Sequence, residues 1–432
     1  MGLLNIFSSK QIKTAAIGSL VIKFLSALFA LFNGILLANL LTVKDFGIYV
    51  LAFTTITVIS IPVSLGLPNL ITRYISKYEI TNDVSSIKGL LIRSNQLVVI
   101  TSLLAIIVAF ISYAVWWKSY PMNVVSTFWY SFLLLPLLVF GSLRASALRG
   151  LKFIILGQLP DTFLRNLFLT FFLLLAILFD FKIEPQIAMI LHAFAAAIAF
   201  LIGYFILKNK LLNRLKGETP TYKNKLWLKE AVPFSITSGV QVIKSKLLIY
   251  VLAIFGSIEA VAIYDIAMRG ASLVAFTLDA LNSAISPYIS SAFELNQKVS
   301  LQRIITKSTR LIFILSLPIA LFFIVGGETI ISLLFGDKYT IAYIPLAILC
   351  VGQLVNSFTG SVGIVLNMTG NQKYLSKNQV QMMLISAILS IPFVIYYDVI
   401  GAALVYSFVL ILQNIILVVY VKNTLNINTT VF

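Results

Sequence analysis

The chain has one cysteine and one histidine in 432 residues, and only 15 acidic side chains against 32 basic ones. A single cysteine, Cys350, excludes an intrachain disulfide, and its apolar surroundings read as a buried, inert thiol. His192 stands alone on an apolar helix, which fits a packed histidine better than a catalytic one. Nucleotide-cradling P-loops, HExxH zinc motifs and cysteine clusters are all missing from the sequence. Charged residues make up 11% of the chain, where a soluble domain would carry about 25%. No polar stretch is long enough to form a separate soluble domain.

What the chain does have is apolar length. It is 59% hydrophobic with a mean hydropathy of +1.00, and apolar runs of bilayer length recur from end to end. These features define an all-α integral membrane protein. Apolar windows set against breakers give twelve spans, near 15–40, 47–67, 93–116, 126–147, 158–179, 186–207, 231–254, 260–290, 308–326, 341–366, 378–397 and 399–421. The first run has no small-residue cleavage site and leads directly into another span, so it reads as an uncleaved helix. Lys and Arg orient the chain, because loops rich in them stay in the cytoplasm. With the N-terminus inside, the outer loops hold Lys44, Lys118, Lys182 and Lys338, the spans hold five cations, and the remaining 23 of 32 fall on the cytoplasmic side. Both termini are then cytoplasmic. This asymmetry accounts for much of the +17 net charge without any nucleic-acid partner. The longest polar stretch, residues 208–230, carries seven basic residues and reads as a positive-inside anchor linking two bundles. Residues 71–93 have the pattern of an amphipathic helix on the inner membrane face.

Weak internal matches recur at nearly one offset. Val-Ile-Lys ends at Lys23 and again at Lys244; "FGIYVLA" at 46–52 matches "VAIYDIA" at 261–267; "LRGLKF" and "MTGNQKY" set Gly150 and Gly370 before a lysine. Since six is even, a six-plus-six duplication inserts both halves the same way, giving a parallel repeat about the membrane normal. The expected domains are a six-helix lobe over 1–207, a cytoplasmic linker over 208–230 and a second lobe over 231–432, arranged around a central cavity.

Charges inside spans cost about 2.5–3.5 kcal/mol at mid-membrane and face a bundle interior or water. Asp161 with Arg165, and Asp265 with Arg269, are four apart and can neutralise one another along a helix face. Lys23, Lys244, Lys246 and Asp279 have no opposite charge one turn away in sequence. Lys23 can snorkel toward the inner surface, which suits Lys244 less, about 20 Å deep at 1.5 Å per residue. Lys246 points nearly opposite to Lys244, and the repeat favours Lys244 as the cavity residue. Polar stripes accompany these cations: Ser19, Ser26 and Asn33 on the first span, Thr237 and Gln241 on the seventh, and Asp265, Ser272, Asp279, Ser283 and Ser286 on the eighth. Such residues also pack helices together, but stripes that include cations suit a hydrated, cationic cavity for an anionic ligand. Prolines within or at the ends of spans (Pro62, Pro136, Pro233, Pro287, Pro318, Pro345, Pro392) suit helices that bend.

The stretches "LTVKDFGIYVLAF", "SALRGLKFIILGQ", "AIYDIAMRGASLV", "SLLFGDKY" and "GQLVNSFTGSVGIVLNMTGNQK" resemble, in order and spacing over roughly 12–420, the polysaccharide-transporter family of the multidrug/oligosaccharidyl-lipid/polysaccharide (MOP) superfamily. The resemblance implies two six-helix lobes around a central cavity. It also implies a flippase carrying undecaprenyl-pyrophosphate-linked oligosaccharide, for O-antigen, capsule or a related glycan, across the bacterial inner membrane. Lipid, and a glycan polymerase or assembly machinery, would be its partners. Lys23, Lys244, Arg165 and Arg269 would be the cavity cations that meet the pyrophosphate. No cofactor is expected, with H+ or Na+ coupling left open. This chain reads "VIKSKLLIY" in the seventh span, where many relatives carry an acidic residue. A multidrug exporter of organic cations would need acidic groups in the cavity, for which Asp279 is the ready candidate. A lipid II flippase would share the cationic cavity but often has two further helices.

Overall fold

The computed structural model describes residues 10–113 and 120–431, and the described side chains exclude residues 10–17, Thr237 and Ala284. The outer-loop assignment of Lys118 falls outside the described residues. All regular structure among the described residues is helical. In chain order the helices are α1 (Lys10–Leu40), α2 (Val43–Ser64), α3 (Leu67–Ile80), α4 (Val84–Ser112), α5 (Met122–Ser131), α6 (Leu134–Gly150), α7 (Ile154–Gln158), α8 (Arg165–Leu178), α9 (Pro185–Leu207), α10 (Asn224–Phe255), α11 (Ile258–Glu294), α12 (Lys298–Phe335), α13 (Tyr343–Thr359), α14 (Val362–Met368) and α15 (Gln372–Leu425).

Among the described residues, eleven helical stretches are long and apolar enough to cross a membrane. The last of them, α15, has 54 residues and is broken at Asp398 (φ 48°, ψ −125°), where the backbone leaves helical space. Counting its two limbs gives the twelve spans expected, since a helix of that length would otherwise reach about 80 Å, far beyond a bilayer. Several helices outrun their apolar windows: α4 starts at Val84, and α12 covers Lys298–Phe335. Hydropathy marks the lipid-buried middle of a helix, whereas backbone hydrogen bonding continues into its polar ends.

The chain forms two compact units, one running to Lys246 and the other from Leu247. The boundary therefore lies inside α10, not in the basic linker over 208–230. The linker instead folds onto the first unit. Glu79 pairs with Arg214 at 2.9 Å, Asp83 with Lys223 at 3.0 Å, and Arg73 with Glu230 at 3.0 Å. Lys88 donates to the Glu218 carbonyl, the Thr221 amide donates to Ser85 O, and Trp227 Nε1 donates to the Tyr78 hydroxyl. Gly89 makes the close approach feasible, because a Cβ there would sit 2.0 Å from the Thr221 carbonyl oxygen. Burial acting alone would raise the Asp83 carboxyl; hydrogen bonds from Ser86 and Lys223, with the Lys223 charge, outweigh it and hold the group below the usual carboxylate value.

The amphipathic helix expected over 71–93 is α3, and it ends at Ile80; residues 84–93 already belong to α4. Its apolar face (Leu67, Leu70, Ile71, Tyr74, Ile75, Tyr78) is buried, and α3 packs against α6. That face meets protein.

The two copies of the Ile-Tyr-x-aliphatic-Ala motif open α2 and α11. Thr42 caps α2 by accepting from the Asp45 amide, and Ser257, 215 residues on, caps α11 by accepting from Ala260. Phe46, Tyr49 and Ala52 are buried, as are Val261, Tyr264 and Ala267 at the same offset. The Gly150–Gly370 match does not extend to structure. Gly150 closes α6, where a Cβ would lie 2.9 Å from Ile75, whereas Gly370 has φ +80° in open space, a conformation that glycine adopts without strain.

Prolines 62, 233, 287, 318 and 392 lie inside helices. Pro136 and Pro345 occupy first turns, where no amide partner is lost.

Candidate functional site

In the first unit the polar stripe of α1 faces the fifth span. Ser19 donates to Gln158 Oε1 at 2.8 Å, Ser26 to the Thr162 carbonyl at 2.5 Å, and Asn33 Nδ2 to the Asn166 carbonyl at 2.9 Å. Asn166 Nδ2 returns a bond to Ser26 Oγ, and Thr170 one to Asn33 Oδ1. Their spacing of seven places all three on one side of α1, and their polar groups serve helix-to-helix bonding there. Lys23 is exposed on α1, Gln241 is exposed on α10, and Lys244 and Lys246 are half-buried. The expected role of Thr237 falls on a side chain outside those described.

The fifth span begins with a π-helical stretch, Leu159–Leu164, between α7 and α8. A π turn widens the helix, so the α-helical rule that residues four apart stack no longer holds across it. Asp161 accordingly pairs with Arg144 of α6 and not with Arg165. Arg144 Nη2 lies 2.6 Å from Asp161 Oδ2, and Nη1 donates to the Phe200 carbonyl at 2.9 Å. The Arg144 side chain is only 3% exposed. Two glycines leave room for the pair: a Cβ at Gly203 would fall 2.0 Å from Arg144 Nη1, and one at Gly141 would fall 2.6 Å from Asp161 Oδ1. Arg149 and Arg165 also feel the Asp161 charge, so one carboxylate sits among three guanidinium groups. Arg144 escaped the sequence reading because it lies near a span end, where cations commonly snorkel. The glycines at 141 and 203 make room for it, a role that shows only once the helices are placed together. His192 receives or donates a 2.8 Å bond with the Tyr49 hydroxyl through Nδ1 and packs on Phe53, as expected of a packed histidine.

A separate cavity of about 480 Å³ in the same unit is lined by α2, α4 and α5, including Ile59, Pro62, Leu104, Phe128, Trp129 and Phe132. Its wall is apolar. The hydroxyls of Thr55, Thr101 and Ser112 bond to backbone carbonyls of their own helices.

In the second unit Asp265 and Arg269 pair as their spacing suggests, with Nε donating to Oδ2 at 2.6 Å. Ser272 donates to the Arg269 carbonyl, and Asp279 is exposed on α11. The motif "GQLVNSFTG" supplies a packing ladder. Gln353 donates to the Tyr406 hydroxyl, Asn356 to Gln353, and Asn414 to Asn356, while Ser357 bonds Ser316. Of the eleven side chains expected at the site, the structure thus brings together Ser19, Ser26 and Asn33 with the fifth span, and Asp265 with Arg269 and Ser272.

Long apolar helices, a repeated helix-opening motif and guanidinium groups held inside the bundle are features of the multi-pass transporter folds. A family model described as polysaccharide biosynthesis protein matches residues 14–293, and a second, MatE, matches 233–396. The chain belongs to the polysaccharide biosynthesis protein family, within the MOP superfamily. It is 23% identical over 185 residues to the probable low-salt glycan biosynthesis flippase Agl15 of Haloferax volcanii. That match covers 43% of this chain and spans 39% of the relative's length. Among solved structures, an inward-facing multidrug resistance MATE transporter of the MOP superfamily aligns with a TM-score of 0.79 at 15% identity, over 95% of this chain and 98% of the other. The lipid II flippase MurJ in an inward closed conformation gives 0.72 at 14%, over 93% and 87%. A MOP transporter from Pyrococcus furiosus, described as having a binding pocket of reverse polarity, gives 0.68 at 15%, over 96% of each chain. These likenesses establish the fold.

Proposed function

We propose that the chain is a flippase that moves undecaprenyl-pyrophosphate-linked oligosaccharide from the cytoplasmic to the outer face of a bacterial inner membrane, for O-antigen, capsule or a related glycan. The observation that carries this reading is the family match over 14–293, supported by the relative named as a glycan biosynthesis flippase. The cations of the spans agree with it. Lys23 is exposed and Lys244 half-buried, and Arg165 stands beside a carboxylate already paired to Arg144. Lysine is a mobile point charge and arginine a planar fork that matches phosphate oxygens. In this reading these groups, with Arg269, meet the pyrophosphate during alternating access, and coupling to H+ or Na+ supplies the direction. Membrane lipid and a glycan-assembling enzyme are the partners.

An organic-cation exporter is less well supported, because Asp265 is paired with Arg269 and Asp161 with Arg144, which takes two carboxylates away from a cationic cargo. A lipid II flippase remains the nearer alternative, since it carries the same kind of lipid pyrophosphate. Deleting the gene in its host and extracting lipid-linked oligosaccharides decides between them. Accumulation of one undecaprenyl-pyrophosphate-linked oligosaccharide on the cytoplasmic side is expected. Accumulation of lipid II, or a change only in drug sensitivity, would refute the proposal.

A further inference from the structure

A second cavity of about 270 Å³ lies in the first unit, at the end that carries α3 and the linker. It fills the crevice where α4 and α9 both pack on α6, and Leu143, Phe200 and Leu207 form part of its wall. Two buried polar atoms belong to residues of this wall. Arg144 Nε and Ser94 Oγ have no hydrogen-bond partner among the described residues, although Arg144 is 3% and Ser94 1% exposed. Asn95 and Tyr204 add further polar groups to the lining. Buried donors are rarely left unmade, because each forfeits the hydrogen bonds it had in water. Both atoms here can donate, so the missing partner is an acceptor. Nearby charge is cationic: Arg149 and Arg165, which feel the Asp161 charge, leave the Arg144–Asp161 pair in cationic surroundings. The other walls are apolar and suit hydrocarbon.

We propose that this cavity binds the phosphate of an anionic membrane phospholipid, with Arg144 Nε and Ser94 Oγ donating to its oxygens and a hydrocarbon chain following the crevice between α4 and α9. Basic pockets between membrane helices bind lipid headgroups in this way. The donors Arg144 and Ser94 are not among the cargo cations Lys23, Lys244, Arg165 and Arg269, although Arg165 lies near the Arg144–Asp161 pair, and the proposal does not depend on the identity of the cargo.

Native mass spectrometry of the purified full chain tests this, with phosphatidylglycerol, phosphatidylcholine, polyprenyl phosphate or inorganic phosphate supplied in turn. One phosphatidylglycerol per chain should be retained preferentially. Ser94→Ala, a small change that the fold should tolerate, should weaken retention about tenfold, because it removes a hydrogen bond to an ionised group. Arg144→Lys keeps the charge facing Asp161 but lacks Nε, and should weaken it further. Preferential retention of polyprenyl phosphate would assign the site to the cargo carrier and overturn the phospholipid reading. Equal retention of inorganic phosphate would overturn the requirement for a lipid. Equal phosphatidylcholine binding, retention unchanged by Ser94→Ala, or a cavity holding water alone would overturn the site itself.

Discussion

Substituting alanine for Gly203 tests whether the Arg144–Asp161 pair organises the first unit. The new methyl group would lie 2.0 Å from Arg144 Nη1 and 2.1 Å from Cζ, well inside van der Waals contact. The helix backbone of α9 cannot retreat without loosening its packing on α6, so the guanidinium must move. Moving it breaks the bond to the Phe200 carbonyl and stretches the 2.6 Å contact with Asp161. Hydrogen bonds involving a charged group contribute about 1.5–3 kcal/mol, and a buried pair broken from one side costs about 3–5 kcal/mol. Asp161 keeps some exposure and lies near Arg149 and Arg165, which lowers the second figure. A loss of about 2–4 kcal/mol follows. Alanine's better helix propensity offsets at most about 1 kcal/mol of that. An equilibrium SDS titration of the purified protein measures the loss. Gly363→Ala, also helical but with nothing within 4 Å of the added Cβ, is the control and should be neutral or slightly stabilising. Pairing Arg144→Met with Asp161→Leu should cost less than Arg144→Met alone, because the carboxylate is no longer left without its partner. A Gly203→Ala protein as stable as Gly363→Ala, or strictly additive effects at 144 and 161, would refute the reasoning.

The linker clamp should respond to pH in one direction. Asp83 has a depressed folded pKa, so its contribution is complete above the unfolded carboxylate value of 3.8 and is lost as pH falls through the lower folded value. Protection from hydrogen exchange over 214–230, taken relative to the intrinsic rate at each pH, should therefore fall at strongly acid pH, and Asp83→Asn should lower it already at neutral pH; unchanged protection in Asp83→Asn would show that the other contacts suffice. Lys244→Ala should impair transport at normal abundance, Lys244→Arg should retain more, and Lys244→Glu should be worst. Loss of abundance in step with activity across the three would reduce the lysine to a packing role. Reporter fusions after Asn209 and Asn423 should both report cytoplasm and one after Trp117 the outside, and a reversed signal at Asn209 would end the six-plus-six topology.

The sequence by itself determined the class, because a bilayer imposes one simple rule: twenty-odd apolar residues, every backbone group bonded within its own helix. Composition and window length were enough to find twelve spans, and the break at Asp398 marks where two of them meet within α15. The repeat was legible for a similar reason. A helix start depends on a few adjacent residues, and the Thr42 and Ser257 caps sit at the offset that the motifs already gave. The pairing of Asp265 with Arg269 was legible because an unbroken α-helix fixes which residues meet.

The tertiary structure alone decided what lies beyond one helix. A single π turn sends Asp161 to Arg144, 17 positions away, and no periodicity in the chain announces that turn. The glycines at 141 and 203 acquire meaning only when the helices that carry them are placed beside the ion pair. The linker read as a positive-inside anchor between two bundles, yet its ion-pair partners lie on α3 and at Asp83 just before α4, where only folding could bring them within 3.0 Å. Local rules govern backbone hydrogen bonds and burial in lipid, whereas the partner of a buried charge is set by which helices touch.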